Sequence, residues 1–244
     1  MDGEIKVTRK GPVATLTISR SDKLNSVTRE MLTAFDDKIN QLTNDPEIMV
    51  VIFTGEGKKA FSAGFDLKTV TSLKGDERTS FFKLLESTIR CIKENRNCIT
   101  VAAINGYAIG FGAMIASSCD FRFFSEGAAF RLPEVQLAIF PGAGATANLM
   151  DLVGPARTKD ILVTGRLVSA EEALQIGLAN RVVPHEELMS KVEEFVQDII
   201  KKDRKIVMRT VNLVDMMTGQ DHAEASDLET MYTDEWLREL EEND

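Results

Sequence analysis

Apolar and polar positions alternate with period two over Glu4 to Val7 and again over Val13 to Ile18, and the Lys10-Gly11-Pro12 turn between them predicts a β-hairpin. After a loop from Ser19 to Ser26, the residues Leu32, Phe35, Ile39 and Leu42 recur at helical spacing. Thr28 to Thr43 should therefore form an amphipathic helix that feeds a buried strand over Met49 to Thr54. Gly55-Glu56-Gly57 breaks that strand, and AFSAGFDL, Ala60 to Leu67, reads as a second short strand ending in a sharp turn at Ala63-Gly64. Phe81, Phe82, Leu85, Ile89 and Ile92 give Thr79 to Glu94 one apolar helical face, and Ile99 to Ile104 returns as a strand. Strand and helix in alternation predict a layered, largely parallel α/β architecture.

The stretch from Val101 to Leu149 gathers the groups able to do chemistry. Asn105-Gly106 closes the apolar run, and Gly110-Phe111-Gly112 opens a segment of small residues, Ala113 to Ser118, that reads as a short buried helix. A helix start offers unpaired N–H groups and the positive end of a dipole, so it can hold a developing negative oxygen. Glu134 follows in an otherwise apolar segment, and Pro141-Gly142-Ala143-Gly144 starts another helix. Donor-bearing turn and isolated carboxylate together suggest enolate chemistry.

Beyond this point the pattern is mostly helical: Gly144 to Leu152, Ala156 to Val163, then Ser169 to Ile176, where Ser169 and Glu172 have capping-box spacing and Gly177 suits the stop. From His185 onward Leu188, Val192, Phe195, Val196, Ile199 and Ile200 trace one stripe, and a last helix is expected over His222 to Leu240. The expected division is a core over residues 1–184 and a helical region over 185–244, the latter a lid or an oligomer surface.

Composition removes several classes of function. A hydrophobic content of 43% without an apolar run of about 18 residues predicts no membrane span. A net charge of −9 disfavours general nucleic-acid binding and points to a small partner. Neither the first residues nor the last resemble an address signal, so a cytoplasmic location is expected. Cys91, Cys98 and Cys119 lack metal-ligand spacing and read as free thiols, and two histidines, His185 and His222, are too few for a triad or a metal site. No Walker or Rossmann glycine pattern is present.

Five motifs then stand in order: SRSDKLNSV (Ser19 to Val27), FSAGFDL (Phe61 to Leu67), INGYAIGFG (Ile104 to Gly112), LPEVQLAIFPGAGAT (Leu132 to Thr146) and TGRLVSAEEALQIGLANRVVP (Thr164 to Pro184). In these the chain resembles the enoyl-CoA hydratase/isomerase, or crotonase, superfamily over nearly its whole length, with Ser21 in place of a usual proline. The resemblance implies a crotonase-like spiral of β-β-α turns followed by a helical trimerisation region, in homotrimers or dimers of trimers. It implies an acyl-CoA thioester as substrate, coenzyme A entering as part of that substrate and not as a separate cofactor, and no metal. It puts the two backbone donors for the enolate oxygen at Ala63 and Phe111, the latter where glycine is usual, and the acid–base group at Glu134. Substrate contacts are expected from Lys23, Leu24, Ser62, Gly64, Asp66, Leu67, Gly110, Met114, Pro133 and Gly142. Lys23 and Lys68 are candidates for the nucleotide phosphates, and Asp66 could equally be a capping residue that holds the turn.

Members that hydrate a double bond resemble one another in two glutamates, and the first of these positions is Met114 here. A hydratase must hold a water and deliver a proton, whereas a positional isomerase needs one base that takes a proton from C2 and returns it at C4. The single Glu134 therefore favours a Δ3,Δ2-enoyl-CoA isomerase. An enoyl-CoA hydratase, another lyase or hydrolase on the same scaffold, and a catalytically silent acyl-CoA-binding protein are the alternatives.

Overall fold

The computed structural model describes residues 3–243. The hairpin forms where alternation puts it and extends to β1 (Glu4–Lys10) and β2 (Val13–Ser19), antiparallel, with Glu4 opposite Ser19 and Lys10 opposite Val13. Thr28 caps α1 (Arg29–Asn44), its side chain accepting from the Met31 N–H, and the helix buries Met31, Leu32, Phe35 and Ile39. Next comes β3 (Val50–Gly55), buried at every position, as a strand covered on both faces must be.

A long strand, a short strand and a helix then recur. The first turn is β3, β4 (Ala60–Ser62) and the helices α2 (Leu67–Ser72) and α3 (Gly75–Lys93). The second is β5 (Ile99–Ile104), β6 (Tyr107–Ile109) and α4 (Phe111–Ser118). The third is β7 (Phe121–Ser125), β8 (Ala129–Arg131), a 3-10 turn over Glu134–Leu137 and α5 (Ala145–Thr164). Then β9 (Val168–Ser169), α6 (Ala170–Gln175) and β10 (Arg181–Val183) follow. The long strands make one sheet, β1-β2-β3-β5-β7-β10, parallel beyond the hairpin. The short ones make a second, β4-β6-β8-β9, parallel except at β8-β9. This is the spiral of β-β-α turns that the resemblance implies.

Several boundaries differ from the sequence reading for local reasons. The strand expected over Ala60 to Leu67 stops at Ser62, because Gly64 takes φ 89° and Asp66 caps α2 through the Lys68 N–H. Thr69 to Arg78 is helical except around Leu73 and Lys74; α3 begins early, with Asp76 and Glu77 favourable in its first turn. The helices expected over Gly144 to Leu152 and Ala156 to Val163 meet within α5 at Gly154, whose φ of 76° and ψ of 169° break the helix before Pro155. Ser169 caps α6 as expected by accepting from the Glu172 N–H, but the Glu172 carboxylate binds Arg166 at 2.6 and 2.8 Å instead of closing the box.

Two compact units result, Met1–Val196 and Gln197–Asp244. The division falls inside α7 (Leu188–Ile200) and not after Pro184. In the second unit α8 (Arg204–Met217), for which the sequence reading has no element, is capped by Asp203 and followed by α9 (His222–Asn243). Among the described residues no helix is long and apolar enough to cross a membrane.

Candidate active site

In the second sheet β4, β6 and β8 are parallel neighbours, so their C-terminal ends lie along one edge. The turn Ala63-Gly64-Phe65 leaves the first, the N-terminus of α4 leaves the second, and Pro133-Glu134 leaves the third. The Gly110 N–H donates to the Arg131 carbonyl at 3.0 Å, which ties the second end to the third. Gly64 and Gly110, at φ 89° and 53°, let the first end meet the second. A Cβ on Gly64 would lie 3.0 Å from the Ile109 oxygen and 3.6 Å from the Phe111 nitrogen. One on Gly110 would lie 3.7 Å from the Gly64 Cα and 3.5 Å from Glu134 Oε1. The Phe111 amide, the Gly64-Phe65 turn and the Glu134 carboxylate thus share one small volume.

Which amides are open to a ligand differs from the motif-based assignment. The Ala63 N–H donates to the Leu24 carbonyl at 2.9 Å, so Ala63 is corrected: it has no N–H to offer. The reason lies upstream, where Leu24 at φ 52° turns its carbonyl onto this turn. Gly64 donates to Ser62 Oγ and Asp66 to the Val27 carbonyl, whereas the Phe65 N–H between them has no acceptor among the described residues. Phe111, the first residue of α4, likewise has no acceptor among the described residues; the first bond of that helix runs from Met114 to the Gly110 carbonyl. Among the described residues Phe65 therefore carries an open donor on this edge, and Phe111 carries the first of the unpaired donors at the start of α4.

The loop that displaces Ala63 is held by Asn25, a residue the sequence reading did not select. Asn25 is 1% exposed and sits at φ 55°. Its Oδ1 accepts from the Arg20 N–H, its Nδ2 donates to the Ala60 and Glu56 carbonyls, and its own carbonyl accepts from Ser62 Oγ. Asparagine tolerates a left-handed backbone better than most residues, and its place within SRSDKLNSV was the available signal.

The same network engages two of the expected substrate contacts. Ser62 is fully buried, and its hydroxyl both donates to Asn25 and accepts from Gly64. The Asp66 carboxylate accepts from the Arg20 guanidinium at 2.9 Å and from the Lys68 N–H at 3.0 Å. The first and then the second of these hold its carboxyl below its ordinary range, so Asp66 is the residue that holds the turn.

Glu134 opens its 3-10 turn after Pro133, and the turn closes at Ala138 with φ 55°. Arg131 and Gln136 anchor it: Arg131 donates to the Gly165 carbonyl and to Gln136 Oε1, and Gln136 Nε2 donates to the Thr164 carbonyl at 2.5 Å. The Glu134 residue is 7% exposed and its buried Oε2 has no hydrogen-bond partner. Burial pushes its pKa up, opposed in part by a hydrogen bond from backbone. Met114 and Leu132 are buried, whereas Val135, next to Glu134 in the chain, is 43% exposed. A carboxylate stranded in this way is costly to keep and suited to accept a proton.

Lys23 and Lys68 are exposed on the two segments joined by the Leu24–Ala63 bond, and Leu24 is half exposed. Pro133 and Gly142, partly buried, stand before and after the Glu134 turn in the chain. The side chain of Leu67 lies outside the described residues. Asp120 clips β5 to β7 by accepting from the Thr100 N–H and hydroxyl. Among the described residues, no group of three His, Cys, Asp or Glu could hold a metal ion.

A family model described as enoyl-CoA hydratase/isomerase matches residues 8–242. The chain is 38% identical over 192 residues to the short-chain-enoyl-CoA hydratase of Clostridium acetobutylicum, a span covering 79% of this chain and 73% of that one. The solved enoyl-CoA hydratase from Bacillus anthracis is similar with a TM-score of 0.89 at 31% identity, over 95% of this chain and 90% of that one. A Thermobifida fusca protein solved in complex with acetoacetyl-CoA matches with a TM-score of 0.85 at 29% identity, over 96% and 95% of the two chains.

Proposed function

The chain belongs to the enoyl-CoA hydratase/isomerase family, and on that premise we propose that it moves a double bond along an acyl-coenzyme A thioester, with Glu134 as the only acid–base group. One observation carries this reading: a single buried carboxylate with an unpartnered oxygen beside two open amides, with Met114 where a second acid would stand. Glu134 takes a proton from C2 of a 3-enoyl thioester, and the electron pair flows onto the carbonyl oxygen to give a dienolate. The same carboxyl returns the proton at C4, the carbonyl re-forms, and the double bond lies between C2 and C3. No atom is gained or lost, so no co-reactant is needed.

The donors are required because a proton next to a thioester is only weakly acidic. In other enzymes, losing one such donor costs about 10²–10³ in rate. The N-terminus of α4 adds a favourable field at the oxygen, and all eight of its residues are buried, so water screens that field little. Lys23 and Lys68 are assigned to the coenzyme A phosphates, and the thioester carries the only cofactor in the scheme. Assembly as a trimer or a dimer of trimers is part of the proposal, and it would cover Phe140, which is 86% exposed, and Leu137. Sedimentation velocity giving a monomer would remove that part.

The names of the relatives favour a second reading, hydration of a 2-enoyl thioester, in which Glu134 alone would have to orient water and deliver the proton. Absorbance of the conjugated thioester separates the two. Appearance of the band from 3-enoyl-CoA, with little loss from 2-enoyl-CoA, is expected. Loss from 2-enoyl-CoA at a comparable rate would replace the isomerase with a hydratase, and binding without either change would make the protein silent. Met114→Glu should raise hydration relative to isomerisation, since it restores the missing acid.

A further inference from the structure

Phe65 and Phe111 contribute rings as well as amides. The two rings stack with centroids 4.9 Å apart and planes 23° from parallel. Phe35 of α1 meets Phe111 edge-on at 5.5 Å, and Phe81 of α3 meets Phe65 edge-on at 4.9 Å. Phe35, Phe81 and Phe111 are buried, and Phe65 packs against the core. Both residues whose N–H groups are open are thus anchored by their side chains in one aromatic column.

Past the strand ladder the backbones that carry those two N–H groups meet by packing alone: a Cβ on Gly64 would lie 3.6 Å from the Phe111 nitrogen, and one on Gly112 would lie 2.6 Å from the Ser62 oxygen. The β4–β6 ladder ends at Ser62 and Ala108, with an irregular register between Ala60 and Ser62, short of either donor. The residues before the donors, Gly64 and Gly110, have no side chain and both adopt positive φ. Val27 pairs with the peptides on either side of Phe65, but it belongs to the loop before α1 and not to α4. The ring contact adds a direct side-chain tie between the two donor residues.

We propose that the Phe65–Phe111 stack is a positioning element that sets the spacing of the two amides and so determines how firmly the negative thioester oxygen is held. This rests on the function proposed above. Face-to-face contact orients each ring, and each ring orients its own peptide plane through two side-chain torsions. Leucine in either place would fill much of the space without a flat face to register the partner. The peptide planes would then sample a wider range, and a donor misplaced by a fraction of an ångström loses a large part of its effect.

The test uses acetoacetyl-CoA, a 3-oxoacyl thioester whose bound enolate is visible by near-ultraviolet absorbance, and free coenzyme A, which has no acyl oxygen. In Phe111→Leu and in Phe65→Leu, each shown folded by circular dichroism, the bound enolate-to-keto ratio should fall by roughly tenfold. Affinity for free coenzyme A should not change, and kcat should fall with KM nearly constant. The double variant should lose little more than the worse single variant, because either change breaks the same contact. If Phe111→Leu does not fold, Phe65→Leu decides alone, since that ring is only partly buried. Folded variants with the wild-type enolate ratio and kcat would overturn the proposal. A wild-type protein that neither binds acetoacetyl-CoA as enolate nor turns over any enoyl-CoA would instead overturn the function beneath it.

Discussion

Glu134→Gln is expected to lower turnover by about 10²–10⁴-fold, the contribution of a positioned acid–base group, with acyl-CoA affinity nearly unchanged and with a gain in stability at neutral pH. Loss and gain have one cause. Burial raises the Glu134 pKa above its ordinary 4.5, and Oε2 has no partner among the described residues, so charging this group is less favourable in the folded protein than in the unfolded chain, where water solvates it. The folded form holds this proton at a pH where the unfolded form has released it. The Glu134 contribution to stability therefore declines as pH rises from the unfolded value through the raised one, and stays low above it. Glutamine has no charge to strand. Melting temperatures of the two proteins should converge in acid and separate in favour of Glu134→Gln toward neutrality. Wild-type kcat/KM should fall as pH drops through the raised pKa, where the base becomes protonated. A variant less stable than wild type at neutral pH would mean that the carboxylate is well solvated or paired.

Gly110→Ala is expected to cost about 10² in kcat and about 1–3 kcal/mol in stability. At φ 53° and ψ −115° Gly110 occupies a region closed to residues with a Cβ, although the new carbon itself would find only ordinary contacts, 3.5 Å from Glu134 Oε1 and 3.7 Å from the Gly64 Cα. The strain is thus in the backbone, and relieving it rotates the peptide that carries the Phe111 N–H. Gly11→Ala is the control: φ is 60° there and nothing lies within 4 Å of the added carbon, so it should lose stability and keep kcat. Urea unfolding and steady-state kinetics on both variants make the comparison. Wild-type kcat in Gly110→Ala would take the Phe111 amide out of the chemistry.

The parts of this molecule that a sequence displays are those whose periodicity is long enough to count. The hairpin, α1, β3 and β5 are visible because alternation, a helical stripe or an unbroken apolar run marks each of them. The strands β4, β6, β8 and β9 hold two or three residues each, too few for any period, yet they are the sheet that assembles the site. Helix α8 is obscured for another reason: Ile206, Val207, Thr210, Val211 and Val214 are β-branched, and only Met208 is buried. Glu134 and Phe111 were legible through their motifs. The exchange of Ala63 for Phe65 was not, because it depends on where the Leu24 carbonyl points, and that follows from two successive left-handed residues, Leu24 and Asn25, nearly forty positions upstream. A free N–H leaves no mark on a side chain, so only coordinates reveal it.

Exchange of hydrogen at C2 of a bound acyl-CoA with deuterated water tests the central assignment most directly, because it records proton removal whatever product follows. Wild-type protein should incorporate deuterium at C2 at a rate that Glu134→Gln lowers by at least about a hundredfold. Equal incorporation by the two proteins would contradict the account, since the proton would then be leaving by a group other than Glu134.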